Sequence, residues 1–117
     1  MAKKFPVTIY HNPKCGTSRN VLEMIEVAGH EPEVVEYLKA GWTKPQLKKL
    51  FADAGLTPRQ AMRNNAPEAE PLLDSKVSDA NILNAMVEHP ILVNRPIVVT
   101  SKGTRLARPK EVVREIL

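Results

Sequence analysis

One cysteine, Cys15, stands in the segment Tyr10-His11-Asn12-Pro13-Lys14-Cys15-Gly16-Thr17-Ser18-Arg19-Asn20. It follows the alternating Val7-Thr8-Ile9-Tyr10, a short strand pattern, and precedes a helical one. A thiol at such a junction faces backbone N–H groups that have no partner inside the helix. It also faces the positive end of the helix dipole, and both favour the thiolate. A free thiol with a pKa of about 8.5 is only ~3% ionised at pH 7, so this help separates a nucleophile from a small inert hydrophobe. The polar neighbours Asn12, Lys14, Thr17 and Ser18 describe a loop rather than a core. The helpers available to the sulfur are the amides of Gly16 to Ser18, the Ser18 hydroxyl, and the side chains of His11 and Arg19.

Ser18 occupies the place of the second thiol in a C-x-x-C spacing, so an internal dithiol mechanism is excluded. Any redox cycle at Cys15 must be completed by another molecule. A cysteine-based phosphatase loop is excluded as well, because its arginine would fall at position 21, where Val21 stands.

Arg63, Arg95 and Arg108 each flank an expected break: a helix end, an X-Pro bond before a strand, and a strand-to-helix junction before Pro109. Arginine is suited to bidentate binding of a tetrahedral oxyanion. Arg105 is equally basic but falls in mid-strand. His30 and His89 sit at expected helix ends, where capping or surface roles suffice. No His, Cys, Asp or Glu spacing suggests a metal site.

The chain has 117 residues, 43% hydrophobic and 26% charged, which is the balance of one soluble globular domain. The formal charge of +4 is scattered and aromatics make up 4%, so nucleic acid is not expected as a partner. A small anion fits better. No apolar run approaches the ~20 residues of a membrane span, so no membrane partner is expected. Met1-Ala2-Lys3-Lys4-Phe5-Pro6 precedes too short an apolar run for a signal peptide. A lone cysteine with no disulfide framework points to a reducing compartment, the cytoplasm.

The elements that must position these residues read as strand, helix, strand first. Val21, Leu22, Ile25 and Ala28 share a helical face, Gly29 suits the position after the helix end, and Val34-Val35-Glu36-Tyr37 reads as the second strand. Strand–helix–strand of this length implies a parallel pair. Thr43-Lys44-Pro45-Gln46 is a capping box opening a helix with Leu47, Leu50, Phe51 and Ala54 inward. Thr57-Pro58-Arg59-Gln60 is a second box, opening a short helix that ends at Asn64 with Arg63 near its C-terminus. Ser78 caps a third helix with Ile82, Leu83 and Met86 inside. Ile97–Thr100 and Thr104–Ala107 flank a hairpin signal, and Pro109 opens a final helix. Arg95-Pro96 is a candidate cis bond. The expected fold class is α/β: a mixed four-stranded sheet with a central helical insertion, which is a thioredoxin-like layout.

The segment Tyr10–Asn20 closely resembles the signature of glutaredoxin-coupled arsenate reductases. The resemblance continues through Met62-Arg63, through His89-Pro90-Ile91-Leu92-Val93-Asn94-Arg95-Pro96-Ile97-Val98-Val99-Thr100, and through Gly103-Thr104-Arg105-Leu106-Ala107-Arg108-Pro109. It spans essentially the whole chain. It implies a thioredoxin-like fold and reduction of arsenate to arsenite, an arsenic detoxification. Cys15 would be the nucleophile, His11 and Ser18 would tune its thiolate, and Arg63, Arg95 and Arg108 would hold the oxyanion. The implied sequence is bonding of Cys15 to arsenic with loss of water, attack by glutathione with reduction of arsenic(V) to arsenic(III), then removal of the glutathione by glutaredoxin and release of arsenite. No bound cofactor is implied; glutathione is a co-substrate and glutaredoxin a protein partner. The single cysteine suits this scheme and not that of thioredoxin-coupled arsenate reductases, which pass a disulfide along several cysteines of their own. Two alternatives stand beside it: a Spx-like redox regulator of the same superfamily that binds RNA polymerase, and a related thiol reductase of unknown oxyanion. Spx-like regulators usually carry C-x-x-C, which Ser18 breaks here.

Overall fold

Alternation of side chains in Val7–His11 produces strand β1, with Val7, Ile9 and His11 buried and Thr8 and Tyr10 half-buried. The computed structural model describes residues 6–117; the lysine-bearing start, residues 1–5, lies outside the described residues. Helix α1 (Gly16–Val27) follows, then strand β2 (Glu33–Glu36), the short helix α2 (Tyr37–Ala40) and helix α3 (Lys44–Ala54). Helix α4 (Asp79–Glu88) leads to strands β3 (Ile97–Thr100) and β4 (Gly103–Leu106), and a 3-10 helix closes the chain at Lys110–Ile116. Two compact units result, one from the segment ending at Ala40 together with Arg95–Leu117, the other from Gly41–Asn94.

The first unit holds the sheet, in the order β2-β1-β3-β4. β1 and β2 are parallel, with His11 opposite Glu36 at their ends. β3 runs antiparallel to both β1 and β4, so the sheet is mixed. Ser101 and Lys102 form the β3–β4 turn, which pairs Thr100 with Gly103 and Ile97 with Leu106. One face of this sheet packs Val7, Ile9 and Val98 with Val21 and Ile25 of α1 and with Ala107, Val113 and Ile116. Burying such a side chain is worth about 1.5–3 kcal/mol, so this cluster fixes where α1 begins relative to the strand ends. The closing 3-10 helix is tied to the hairpin by polar contacts. Thr100 Oγ1 donates to the Ile116 carbonyl at 2.8 Å, and Arg105 Nε to Glu115 Oε1 at 3.0 Å.

The second unit is the helical insertion. Thr43 and Gln46 cap α3 reciprocally, and Gly55, at φ 71°, ends it in the left-handed conformation that glycine adopts without a Cβ penalty. Leu47, Leu50 and Phe51 of α3 are buried, as are Ile82, Leu83 and Met86 of α4, whose N-terminus Ser78 caps. Arg59 clamps the segment between these helices by donating to the carbonyls of Leu72, Asp74 and Val77 at 3.0, 3.1 and 2.8 Å.

Several expectations are corrected. The capping-box bonds of Thr57 and Gln60 form at 2.9 and 3.1 Å, but the turn stops after the backbone bonds of Ala61 N–H to Thr57 O and of Met62 N–H to Arg59 O. Met62 instead bridges to Val93, and Asn94 N–H donates to Ala61 O, so bridge pairing replaces the helix expected there. Tyr37 opens α2 rather than closing β2. The last element is a 3-10 helix rather than an α-helix. Ala28, expected inward, is exposed at the end of α1, whereas His30, assigned to capping or the surface, is buried. The Arg95–Pro96 bond is cis, as expected, and so is Arg108–Pro109. Among the described residues no helix is long and apolar enough to cross a membrane.

Candidate active site

Cys15 is the N-cap residue of α1, with extended backbone (φ −95°, ψ 122°). The loop before it is an Asn-built turn. The Asn12 carbonyl accepts from Cys15 N–H at 3.0 Å, and Asn12 Oδ1 accepts from Lys14 N–H at 3.0 Å. Arg19 reaches back from α1, donating from Nη1 to the Pro13 carbonyl at 2.8 Å. The loop is therefore held from both ends, and Cys15 is 8% exposed, accessible but not solvated like a surface thiol.

Burial alone pushes the Cys15 thiol up. The Ser18 N–H, the Arg95 charge, a hydrogen bond from the Arg95 side chain and the Thr17 N–H outweigh it and hold the thiol below its ordinary value. A neutral thiol is a poor cap, and Cys15 makes no side-chain capping bond of the Ser/Thr kind. Once ionised, the sulfur draws on the same N–H groups that a capping oxygen would use. Arg108 Nη1 lies 3.9 Å from Cys15 Sγ. That contact is long and Arg108 is exposed, so water screens its charge and Arg95 dominates.

Arg95 immediately precedes Pro96 and β3, and Arg108 stands two residues beyond the end of β4. The hairpin thus brings two arginines from opposite strand ends to one sulfur. Arg105, in mid-strand, turns away to Glu115 and the Thr104 carbonyl.

Ser18 and His11 form a second layer under the loop. Ser18 Oγ accepts from Asn12 N–H at 3.0 Å and lies 2.6 Å from His11 Nδ1. Both residues are buried, at 0% and 6% exposure, so loss of either partner would strand a polar group. The Ser18 hydroxyl, expected at the sulfur, is engaged by His11 and Asn12; the contribution of Ser18 to the thiolate comes from its backbone N–H. Arg19, also expected beside the thiolate, braces Pro13 instead. Burial lowers the pKa of His11, Glu36 opposes that, and Arg19 adds to it, leaving the ring below its ordinary value and neutral near pH 7.

Cys15, His11, Ser18, Arg95 and Arg108 therefore gather within the first unit. Arg63 belongs to the second unit, where its N–H donates to the Leu92 carbonyl at 2.7 Å and its Nε to Asn65 Oδ1 at 3.2 Å. Two contributors escaped the sequence reading. Asn12 had a signal, since Asn before Pro favours a turn closed by its own side chain. Glu36 had none, because only strand register brings it beside His11. Among the described residues no group of three His, Cys, Asp or Glu could hold a metal ion.

A four-stranded mixed sheet with a cysteine at the start of the helix after β1 is the thioredoxin-like arrangement. The chain belongs to the ArsC family, whose model matches residues 10–116. It is 65% identical over 113 residues to an arsenate reductase of Synechocystis sp., covering 95% of this chain and 81% of that protein. It is 52% identical to the arsenate reductase of Escherichia coli K12, covering 95% of this chain and 80% of that one. Among solved structures, an arsenate reductase from Vibrio cholerae superposes with a TM-score of 0.92 at 42% identity, over 98% of this chain and all of that one.

Proposed function

We propose that this chain is an arsenate reductase acting as one functional domain, with Cys15 as nucleophile and glutathione and glutaredoxin as electron donors. The observation that carries the reading is the contact of the Cys15 sulfur with the arginines that flank the β3–β4 hairpin at its open end. A thiolate repels a tetrahedral dianion, and fixed guanidinium groups offset that repulsion while orienting the oxygens. Membership of the ArsC family and the arsenate reductases among its relatives support arsenate as the anion.

In this reading Cys15 thiolate displaces one arsenate oxygen, which leaves as water after taking up protons. Arg95 and Arg108 hold the remaining oxygens, and Arg63 is the third oxyanion arginine that the resemblance assigns. His11 and Ser18 keep the start of α1 in place beneath the sulfur. Two electrons convert arsenic(V) to arsenic(III). One external thiol of glutathione and one of glutaredoxin supply them and end as a mixed disulfide; water then cleaves the Cys15–arsenic bond, releasing arsenite and the Cys15 thiol. The cycle requires a glutathione-containing, reducing compartment, and a cytoplasmic protein would meet that requirement.

The test is arsenate-dependent oxidation of NADPH in the presence of glutathione, glutaredoxin and glutathione reductase. Turnover that requires all three and the wild-type chain is expected. Intact mass during turnover should show no more than one glutathione per chain. Absence of arsenate-dependent oxidation overturns the reading, and turnover with thioredoxin alone overturns the assignment of donors.

A further inference from the structure

His11 and Glu36 are the last residues of two parallel strands and stand opposite each other in register. Neighbours in a parallel pair project to the same face of the sheet, so the imidazole and the carboxylate share one side at the strand ends. Glu36 is partly exposed, and Lys39 of α2 lies 3.5 Å from its Oε1. The charge of Arg19 of α1 acts on the same ring in the opposite sense. The buried ring therefore feels one carboxylate and one guanidinium of opposite effect, and Lys39 pairs with the carboxylate.

The hydrogen-bond inventory at Ser18 gives this arrangement a consequence. Its oxygen already accepts from Asn12 N–H, and its single proton has the nearby His11 Nδ1 as acceptor at 2.6 Å. That works only if the neutral ring carries its own proton on Nε2. The opposite tautomer would direct N–H at Ser18 and leave the buried hydroxyl proton to find another acceptor. A neighbouring carboxylate selects between tautomers by favouring the one whose N–H dipole it can stabilise.

We propose that Glu36 is a positioning residue: its carboxylate, beside His11 across the β1–β2 pair, keeps the ring proton on Nε2, so that Nδ1 accepts from Ser18 and the start of α1 is held beneath Cys15. Its importance for turnover rests on the arsenate reductase reading, but the tautomer and the loop do not.

The test is NMR of the His11 ring nitrogens in the wild type, Glu36→Gln and Lys39→Met. The wild type should show an unprotonated Nδ1 near neutral pH. Glu36→Gln should populate both tautomers and move the ring's titration to lower pH, and Lys39→Met should move it to higher pH. A protonated Nδ1 in the wild type, or a ring unchanged in Glu36→Gln, overturns the proposal. The pH midpoint of Cys15 alkylation by iodoacetamide gives a readout that needs no arsenate. Loosening the loop through His11 moves it up in Glu36→Gln, and the shift should vanish in a His11→Ala background. Direct removal of a negative charge would instead move it down, and a downward shift overturns the proposal. If arsenate is the substrate, Glu36→Gln should lower kcat/KM about 3- to 10-fold in the wild type and not in His11→Ala. If no variant turns over arsenate while the ring and alkylation results hold, the functional reading fails and this one stands.

Discussion

Arg108 Nη1 donates to the backbone carbonyl of Arg95 at 3.2 Å, so one guanidinium is oriented by the main chain of the other. Guanidinium groups brought together repel each other, and a carbonyl that accepts from one of them offsets part of that cost. Replacing Arg95 or Arg108 by alanine should lower kcat/KM for arsenate about 10- to 150-fold, the loss of a charge-assisted contact worth roughly 1.5–3 kcal/mol. Lysine should rescue each in part, lacking the planar fork. Arg105→Ala is the control: it removes an exposed ion pair worth up to about 1 kcal/mol of stability and should leave kcat/KM nearly intact. Steady-state kinetics of these variants and of Arg63→Ala, with folding checked by circular dichroism, decide it. Equal damage from Arg105→Ala would remove the oxyanion site from the hairpin ends.

Cys15→Ser should abolish turnover without unfolding the chain, since no other thiol exists to replace it. Residual activity above about a tenth of wild type is inconsistent with a single nucleophile.

The rate of Cys15 alkylation against pH should show a midpoint below the free-thiol value of about 8.5. A thiol with a depressed folded pKa stabilises the fold at pH above its unfolded pKa, and that stability is lost as pH falls through the folded pKa. Arg95→Ala should move the midpoint up more than Arg108→Ala, because Arg95 is the cation that acts on the sulfur.

Ser18→Ala should destabilise the fold by about 1–3 kcal/mol, because Asn12 N–H and His11 Nδ1 are left buried without their partner. Urea unfolding would measure it. A change below about 0.5 kcal/mol would mean that the layer under the loop is not built on this hydroxyl.

Acid sensitivity has an assigned contributor in His11. Its folded pKa is lowered from 6.5, so below that pH the unfolded chain binds a proton that the folded chain resists. Stability should fall as pH drops below 6.5, and His11→Gln should flatten that part of the profile relative to wild type.

Local chemistry made most of this fold legible. The Thr43 and Ser78 caps, the hairpin signal after Thr100 and the apolar stripes of α1, α3 and α4 are short-range patterns, and each produced the expected element. The misreadings share a cause in tertiary competition. Thr57 and Gln60 formed their box, yet the Met62–Val93 bridge claimed the backbone that a longer helix needed. At the site, the position of Cys15 before a helix and of Arg95 and Arg108 at strand ends could be read from residue order. Which group the Ser18 hydroxyl serves could not, because ring, sulfur and oxygen all belong to residues 11–18 and residue order does not say which of them meet. The pairing of His11 with Glu36 depends on register between strands 25 residues apart in the chain, which no local pattern encodes.

The β3–β4 hairpin is also a ruler. Ile97 and Leu106 are opposite one another, and Arg95 and Arg108 each stand two residues past that pair. Their separation is therefore counted out by the two-residue turn at Ser101 and Lys102, at the far end of the strands. One residue inserted there would slip the ladder, exchange the faces of one strand and part the two guanidinium groups without altering a single side chain at Cys15. The length of a distant turn thus helps set the spacing of the two arginines at the proposed anion site.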